Sequence, residues 1–141
     1  MIILDTNVVS EPLKLKPDAA VLNWLDAQDP QTLYITTINL AELLAGIELM
    51  PAGRKRTALK SALDSQIMPL FDGRVLQFDA KAAAAFAQIN ANVQSRGAAI
   101  SFADCAIAGI AKVNTFCVAT RNVRDFKNTD LKLINPWDFA V

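Results

Sequence analysis

The sequence predicts an α/β fold of three layers, with a mainly parallel central sheet flanked by helices. Two observations predict it. Short apolar or β-branched runs alternate with helical patterns along the chain, the order expected of a parallel sheet and its connections. No internal repeat, low-complexity linker or domain boundary interrupts the alternation, and 141 residues suit one domain with a proper core. A single domain over residues 1–141 is therefore expected.

Each element has its own local reason. Ile2–Leu4 is an apolar run fit for a buried first strand. A helical pattern spans Asp18–Gln28, with Pro17 near its start and Val21, Leu22 and Leu25 on one side. Leu33–Thr37 is rich in β-branched and aromatic residues and reads as the second strand. Asn39–Met50 is strongly apolar and helical, stopped by Pro51 and Gly53. Arg54–Met68 reads as a further helix closed by Pro69, and Val75–Phe78 as a short strand. Asp79 then caps an alanine-rich helix running to about Arg96 and ended by Gly97. Ser101–Val113 is another helix, Thr115–Thr120 a strand, and Leu131–Ile134 a last strand before Asn135-Pro136-Trp137.

Composition removes several function classes. Fourteen basic residues balance fourteen acidic ones, which excludes a general polycationic nucleic-acid binder but not a local basic patch. No run approaches the roughly 18 apolar residues of a membrane span. Met1-Ile2-Ile3-Leu4-Asp5 reaches an acid without a basic segment, so no signal peptide is expected. Cys105 and Cys117 sit in apolar runs, where free thiols are common, and a reducing cytoplasm is expected. The chain has no histidine, which excludes a Ser-His-Asp triad, a Cys-His pair, an imidazole base and a His-ligated zinc. The side chains left for a metal are carboxylates, which favour Mg²⁺ or Mn²⁺.

Open parallel sheets bind ligands beyond the carboxyl ends of their strands. Four acids are expected there. Asp5 ends the first strand, Glu42 lies in the first turn of the helix after the second, Asp104 in the first turn of the Ser101 helix, and Asp125 one turn after Thr120. Carboxylates packed together repel one another, and a divalent cation is the natural compensation. Each acid also has a plainer reading. Asn39-x-x-Glu42 and Ser101-x-x-Asp104 fit capping boxes, and Asp125 alone fits a solvated turn. Asp5, directly after Ile-Ile-Leu and before Thr6 and Asn7, is the hardest to assign to solubility.

The ordered blocks resemble the PIN-domain family. Ile3-Leu4-Asp5-Thr6-Asn7 looks like its opening signature. Ala41-Glu42-Leu43 and Ser101-Phe102-Ala103-Asp104-Cys105-Ala106-Ile107-Ala108 resemble its second and third blocks. Ala119-Thr120-Arg121-Asn122 through Asp125-Phe126 resembles the fourth, and Asn135-Pro136-Trp137 the ending common in the VapC/FitB-like branch. The resemblance implies a three-layer PIN-like fold and a Mg²⁺- or Mn²⁺-dependent ribonuclease, the toxin of a type II toxin–antitoxin pair. By position, Asp5, Glu42 and Asp104 would be metal ligands. The family varies in whether an acid stands at the position of Asn122 or of Asp125. Asp125 therefore takes a supporting catalytic role, at a second metal or a water, with Thr6, Asn7, Thr120 and Asn122 as polar helpers.

An RNA substrate needs cations for its phosphates, and Arg121 and Arg124 are the candidates nearest the acids. Lys127 and the Arg54-Lys55-Arg56 run are further ones, the run reading more readily as a solvated helix start or loop. An unguarded ribonuclease would harm its own cell, so a cognate antitoxin is implied, and a homodimer is expected. The helix Leu40–Met50 is apolar over a wide face, which suits an antitoxin or dimer contact as well as simple core burial. Two alternatives remain open at this point. One is a non-catalytic PIN-like binding protein. The other is an aspartate-based phosphotransfer domain, although position 7 is Asn where a haloacid-dehalogenase-like site would want an acid.

Overall fold

A computed structural model of the chain describes residues 1–140. Its five strands are β1 (Ile2–Leu4), β2 (Leu33–Thr36), β3 (Val75–Leu76), β4 (Cys117–Ala119) and β5 (Leu133–Ile134). They form one sheet in the order β3-β2-β1-β4-β5, and every pairing is parallel. The first strand thus lies at the centre. The chain builds outward from it to one edge and then crosses back to build the other. The carboxyl ends of β1 and β4, where that direction reverses, bound the crevice in which open parallel sheets bind ligands.

Both faces of the sheet are covered, as the three-layer expectation requires. Side chains alternate along β1, so Ile3 joins one core and Leu4 the other. Ile3 and Val118 pack with Ile89, Ile107 and Ile110 from α5 (Ala80–Ser95) and α6 (Phe102–Asn114). Leu4, Ile35 and Ala119 pack on the other face with Val8 and Val9 of α1 (Thr6–Ser10) and Trp24 of α2 (Ala19–Asp26). Helices α5 and α6 make the most extensive helix contact and approach closely at Gly109. A Cβ on Gly109 of α6 would stand 2.8 Å from the Ala82 carbonyl oxygen and 3.1 Å from the Phe86 nitrogen of α5.

Some boundaries depart from the sequence expectation. Helix α3 runs Thr37–Glu48, starting two residues earlier than Asn39, because Thr36 both ends β2 and caps the helix. Helix α4 (Arg54–Ala62) does not continue to Met68 as an α-helix; it widens into a π-helical turn at Leu63–Ile67 and tightens to a 3₁₀ turn at Met68–Phe71. Pro69 accounts for the change, since it lacks an N–H and crowds the carbonyl of the preceding turn. The Phe78 N–H donates to Thr37 Oγ1, so β3 stops at Leu76 instead of reaching Phe78. Thr115 takes a left-handed conformation that closes α6, and β4 starts only at Cys117. The last strand is Leu133–Ile134, shorter than Leu131–Ile134. Helices α1 and α7 (Val123–Phe126) are too short for periodicity to reveal.

The wide apolar face of α3 is mostly used internally. Ile47 is buried, and Leu43 and Leu44 pack against the second core, while Leu49 is left exposed. No helix among the described residues is long and apolar enough to cross a membrane. Cys105 and Cys117 are free thiols, as expected.

A candidate carboxylate active site

Asp5 is the centre of the site. It stands where β1 becomes α1, and its N–H completes the sheet by donating to the Ala119 carbonyl at 2.8 Å. Its Oδ1 accepts from the Thr6 N–H at 2.8 Å, and its Oδ2 accepts from the Thr120 hydroxyl at 2.7 Å. Only 5% of the residue is exposed. Burial, the largest influence, raises its pKa above the ordinary aspartate value. The bonds from Thr120 and Thr6 pull it down, and the charges of Glu42 and Asp125 push it up.

Glu42 reaches the same edge from α3. With α3 starting at Thr37, Glu42 lies in the second turn, not the first, and its reading as a helix cap is corrected. The capping box is instead Thr36 with Asn39. Thr36 Oγ1 accepts from the Asn39 N–H at 3.1 Å, and Asn39 Oδ1 accepts from the Thr36 N–H at 2.8 Å. Asn39 Nδ2 then donates to Thr6 Oγ1 at 3.1 Å, and that hydroxyl donates to Glu42 Oε1 at 2.7 Å. A fully buried amide on α3 therefore orients the Thr6 hydroxyl, which holds the carboxylate.

Asp104 approaches from the start of α6. Ser101 Oγ accepts from the Asp104 N–H at 3.1 Å, so the cap uses the backbone of Asp104 and not its carboxylate. Half-burial is the main cause of a raised Asp104 pKa. The charge of Asp5 raises it further, Ser101 lowers it, and Asp125 adds a last upward push. The charge of Asp5 thus acts on Asp104, that of Glu42 acts on Asp5, and that of Asp125 acts on both aspartates. Carboxylates from four separate stretches of sequence are thereby brought to one sheet edge.

The supporting residues fall into place behind them. Thr120 is fully buried, and its hydroxyl also accepts from the Asn122 N–H at 3.0 Å. Asn7 Oδ1 accepts from the Arg121 N–H at 3.4 Å, tying α1 to the loop after β4. Asn122 contributes its backbone to this loop, and its side chain does not cap α7. Asp125 is exposed on α7. The Arg121 guanidinium lies 5.1 Å from the centre of the Trp137 ring, a cation–π contact, and Arg124 is exposed on α7. Cys105, next to Asp104, is no nucleophile at neutral pH, because burial and then the Asp104 charge push its thiol pKa up.

Two residues escaped the sequence reading. Asn39 read as the first residue of its helix, although Thr36-x-x-Asn39 has the spacing of a cap and its third helical residue. Glu11 is 3% exposed and paired with Lys14 Nζ at 3.1 Å; in sequence it resembles any charged residue after a short helix.

The donors suit a hard divalent cation. They are carboxylate oxygens, their mutual repulsion raises their affinity for positive charge, and each Asp5 oxygen keeps a free lone pair after its hydrogen bond. They are not a preassembled cage. Among the described residues no three acidic or thiol side chains stand close enough to enclose an ion. A groove lined by Glu48, Arg56, Lys60 and Asp64 and an apolar hollow of about 210 Å³ lined by Val8, Leu25, Leu33 and Phe71 both lie away from the acids.

Comparison with known proteins agrees with this arrangement. The family model described as the PIN domain matches residues 2–132. The chain is 45% identical over 140 residues to a protein of Sinorhizobium fredii named VapC ribonuclease Y4jK, covering 99% of this chain and 100% of that one. It is 42% identical over 137 residues to Toxin FitB of Neisseria gonorrhoeae, covering 97% and 99%. Among solved structures, that of FitAB bound to the IR36 DNA fragment aligns with a TM-score of 0.95 at 40% identity, over 100% of this chain and 99% of that one. With the fold, the order of the acids and the family model in agreement over almost its whole length, this chain belongs to the PIN-domain family.

Proposed function

We propose that this chain is a Mg²⁺- or Mn²⁺-dependent endoribonuclease and the toxin of a VapBC-type toxin–antitoxin pair, acting in the cytoplasm. The observation that carries the proposal is the convergence of Asp5 and Asp104, from distant parts of the sequence, at the switch point of the sheet, where burial raises the proton affinity of both and the charge of Asp5 raises that of Asp104 further. The names of the ribonuclease and toxin relatives support the same activity.

Asp5 and Asp104 would hold the ion, with Glu42 as third ligand drawn in from its place beside Thr6. When bound, such an ion supplies Lewis acidity toward a phosphoryl oxygen and a water. The chain's own residues do the remaining work. Thr120 and the Thr6 N–H fix both Asp5 oxygens, so the carboxylate presents one geometry. Thr6 and Asn39 hold Glu42 at the edge. Asp125 has the exposure to orient a water or to serve a second ion. Arg121 and Arg124 flank the edge as cations for substrate phosphates.

A protein partner follows from the similarity to FitAB, and we take it to be a cognate antitoxin, with self-association into a homodimer. An aspartyl-phosphate role for Asp5 is disfavoured, because position 7 is Asn where a haloacid-dehalogenase-like site would want an acid.

The test is cleavage of a labelled structured RNA pool with Mg²⁺ or Mn²⁺, with EDTA, and with Asp104→Asn purified identically. Cleavage that requires the ion and vanishes in the variant is expected. Metal binding by a folded wild type without cleavage of any RNA would favour the non-catalytic PIN-like protein.

A further inference from the structure

Beside the carboxylates lies an aromatic cluster that the reaction as described leaves unused. Phe102 is the first residue of α6, two positions ahead of Asp104, and is 65% exposed. Its ring centre lies 5.1 Å from that of Phe86 and 6.1 Å from that of Phe78, and Phe78 and Phe86 are themselves 5.9 Å apart edge to face. Phe78 and Phe86 pack against the first core, so Phe102 rests on a fixed base with its outer side free. Phe78 is also anchored to the head of α3, the helix that carries Glu42, through its N–H to Thr37.

We propose that Phe102 stacks an unpaired base of the nucleic-acid substrate next to the scissile phosphate, an inference that rests on the nuclease reading of the site. A ring this exposed forgoes most of the stabilisation that burial of a Phe brings. Its position gives it another use. Phe102 and Asp104 share the first turn of α6, so a strand whose phosphate meets Asp104 also passes this turn, and what adjoins a phosphate in RNA is a ribose and a base. Arg124, the residue before Asp125 on α7, is exposed and without an ion pair among the described residues. Cations along the backbone with aromatic rings for the bases are how proteins hold single strands, and every base offers a π face. The balanced charge of the whole chain makes such a contribution more important, because long-range attraction for RNA is weak. The base would come from a loop or single-stranded stretch, since a paired base has no free face.

The test measures binding apart from catalysis. In an Asp104→Asn background, anisotropy is followed with a labelled single-stranded RNA pool and with an equally long oligomer of abasic sugar-phosphate units. Adding Phe102→Ala should weaken RNA binding by about 5-fold or more, the effect of losing one stacked base, and Phe102→Trp should preserve it. The abasic oligomer should bind all the variants alike. Equal RNA affinity with and without the ring overturns the proposal. So does a loss shared by the abasic oligomer, or a change of assembly state in light scattering, which would assign the ring to self-association. Failure of the wild type to cleave RNA would sink the nuclease reading, whereas a wild type that cleaves and a Phe102→Ala variant with the same kcat/KM would sink only the stacking.

Discussion

The hydroxyl of Thr120 donates to Oδ2 of Asp5 at 2.7 Å, joining residues 115 positions apart across the ends of two neighbouring strands. The same hydroxyl accepts from the Asn122 N–H, so one buried group fixes both the central carboxylate and the loop after β4. Thr120→Val keeps the shape and removes both bonds. It should destabilise the protein by about 1.5–3 kcal/mol at neutral pH, the range for a buried hydrogen bond to a charged partner. Asp5 would lose a donor that holds its pKa down, so the acidic limb of the cleavage profile should move to higher pH. Thr120→Ser should restore both. Urea denaturation and a pH–rate profile decide it, and a Val variant with an unmoved acidic limb would show that the bond does not tune Asp5.

Asp5 and Asp104 make a prediction about stability and pH. Both have raised pKa values in the fold, led by burial, so the folded chain binds more protons than the unfolded one between the ordinary aspartate pKa and the raised values. Their contribution is therefore fully present below the ordinary value and lost as pH rises through the folded ones. In EDTA, Asp5→Asn and Asp104→Asn should each gain thermal stability over wild type at neutral pH, and the gain should shrink in mild acid. Mg²⁺ or Mn²⁺ should stabilise wild type at neutral pH and the variants much less. Melting curves across pH with and without the ion provide the check; variants less stable than wild type in EDTA at neutral pH would contradict it.

How much of this was legible in the sequence depends on what each residue's neighbours are. Ile2–Leu4 followed by Asp5 could be read directly, because an apolar run ending in an acid has few other uses. Asp104 could be placed at a helix start because Ser101 announces the cap locally. The turn occupied by Glu42 could not, since it depends on Thr36 serving as strand end and helix cap at once. The link from Asn39 through Thr6 to Glu42 is a contact between helices α1 and α3, invisible to any periodicity within either. Helix α1 itself has only five residues, and its helical form is set by the Asp5 cap and by burial of Val8 and Val9.

That Thr6 link can be tested by its own substitution. Thr6→Val removes the donor to Glu42 and leaves the Asn39 amide without its acceptor. Groups that orient a metal ligand typically matter by roughly 10–100-fold in metal affinity or activity, and a loss of that size in Mn²⁺ affinity by calorimetry is expected. Thr6→Ser should recover most of it. Unchanged affinity in Thr6→Val would mean that Glu42 does not depend on this hydroxyl.

The two glycines inside long helices should respond to alanine with opposite signs. Gly46 lies within α3, is exposed, and a Cβ there would meet nothing within 4 Å. Gly46→Ala should stabilise the chain by up to about 1 kcal/mol, through the helix propensity that glycine lacks. Gly109 in α6 gains the same propensity, but its Cβ would press on the backbone of α5 at Ala82 and Phe86, which cannot swing aside as a flexible side chain can. The two helices must separate, and the cost of overpacking, about 1–3 kcal/mol, outweighs the gain. Gly109→Ala should therefore destabilise the chain. Because α6 carries Asp104 and Phe102, it should also lower cleavage more than the stability loss alone explains. Urea midpoints for the two variants decide the matter, and a Gly109→Ala protein as stable as Gly46→Ala would show that α5 and α6 are not packed backbone to backbone at this point.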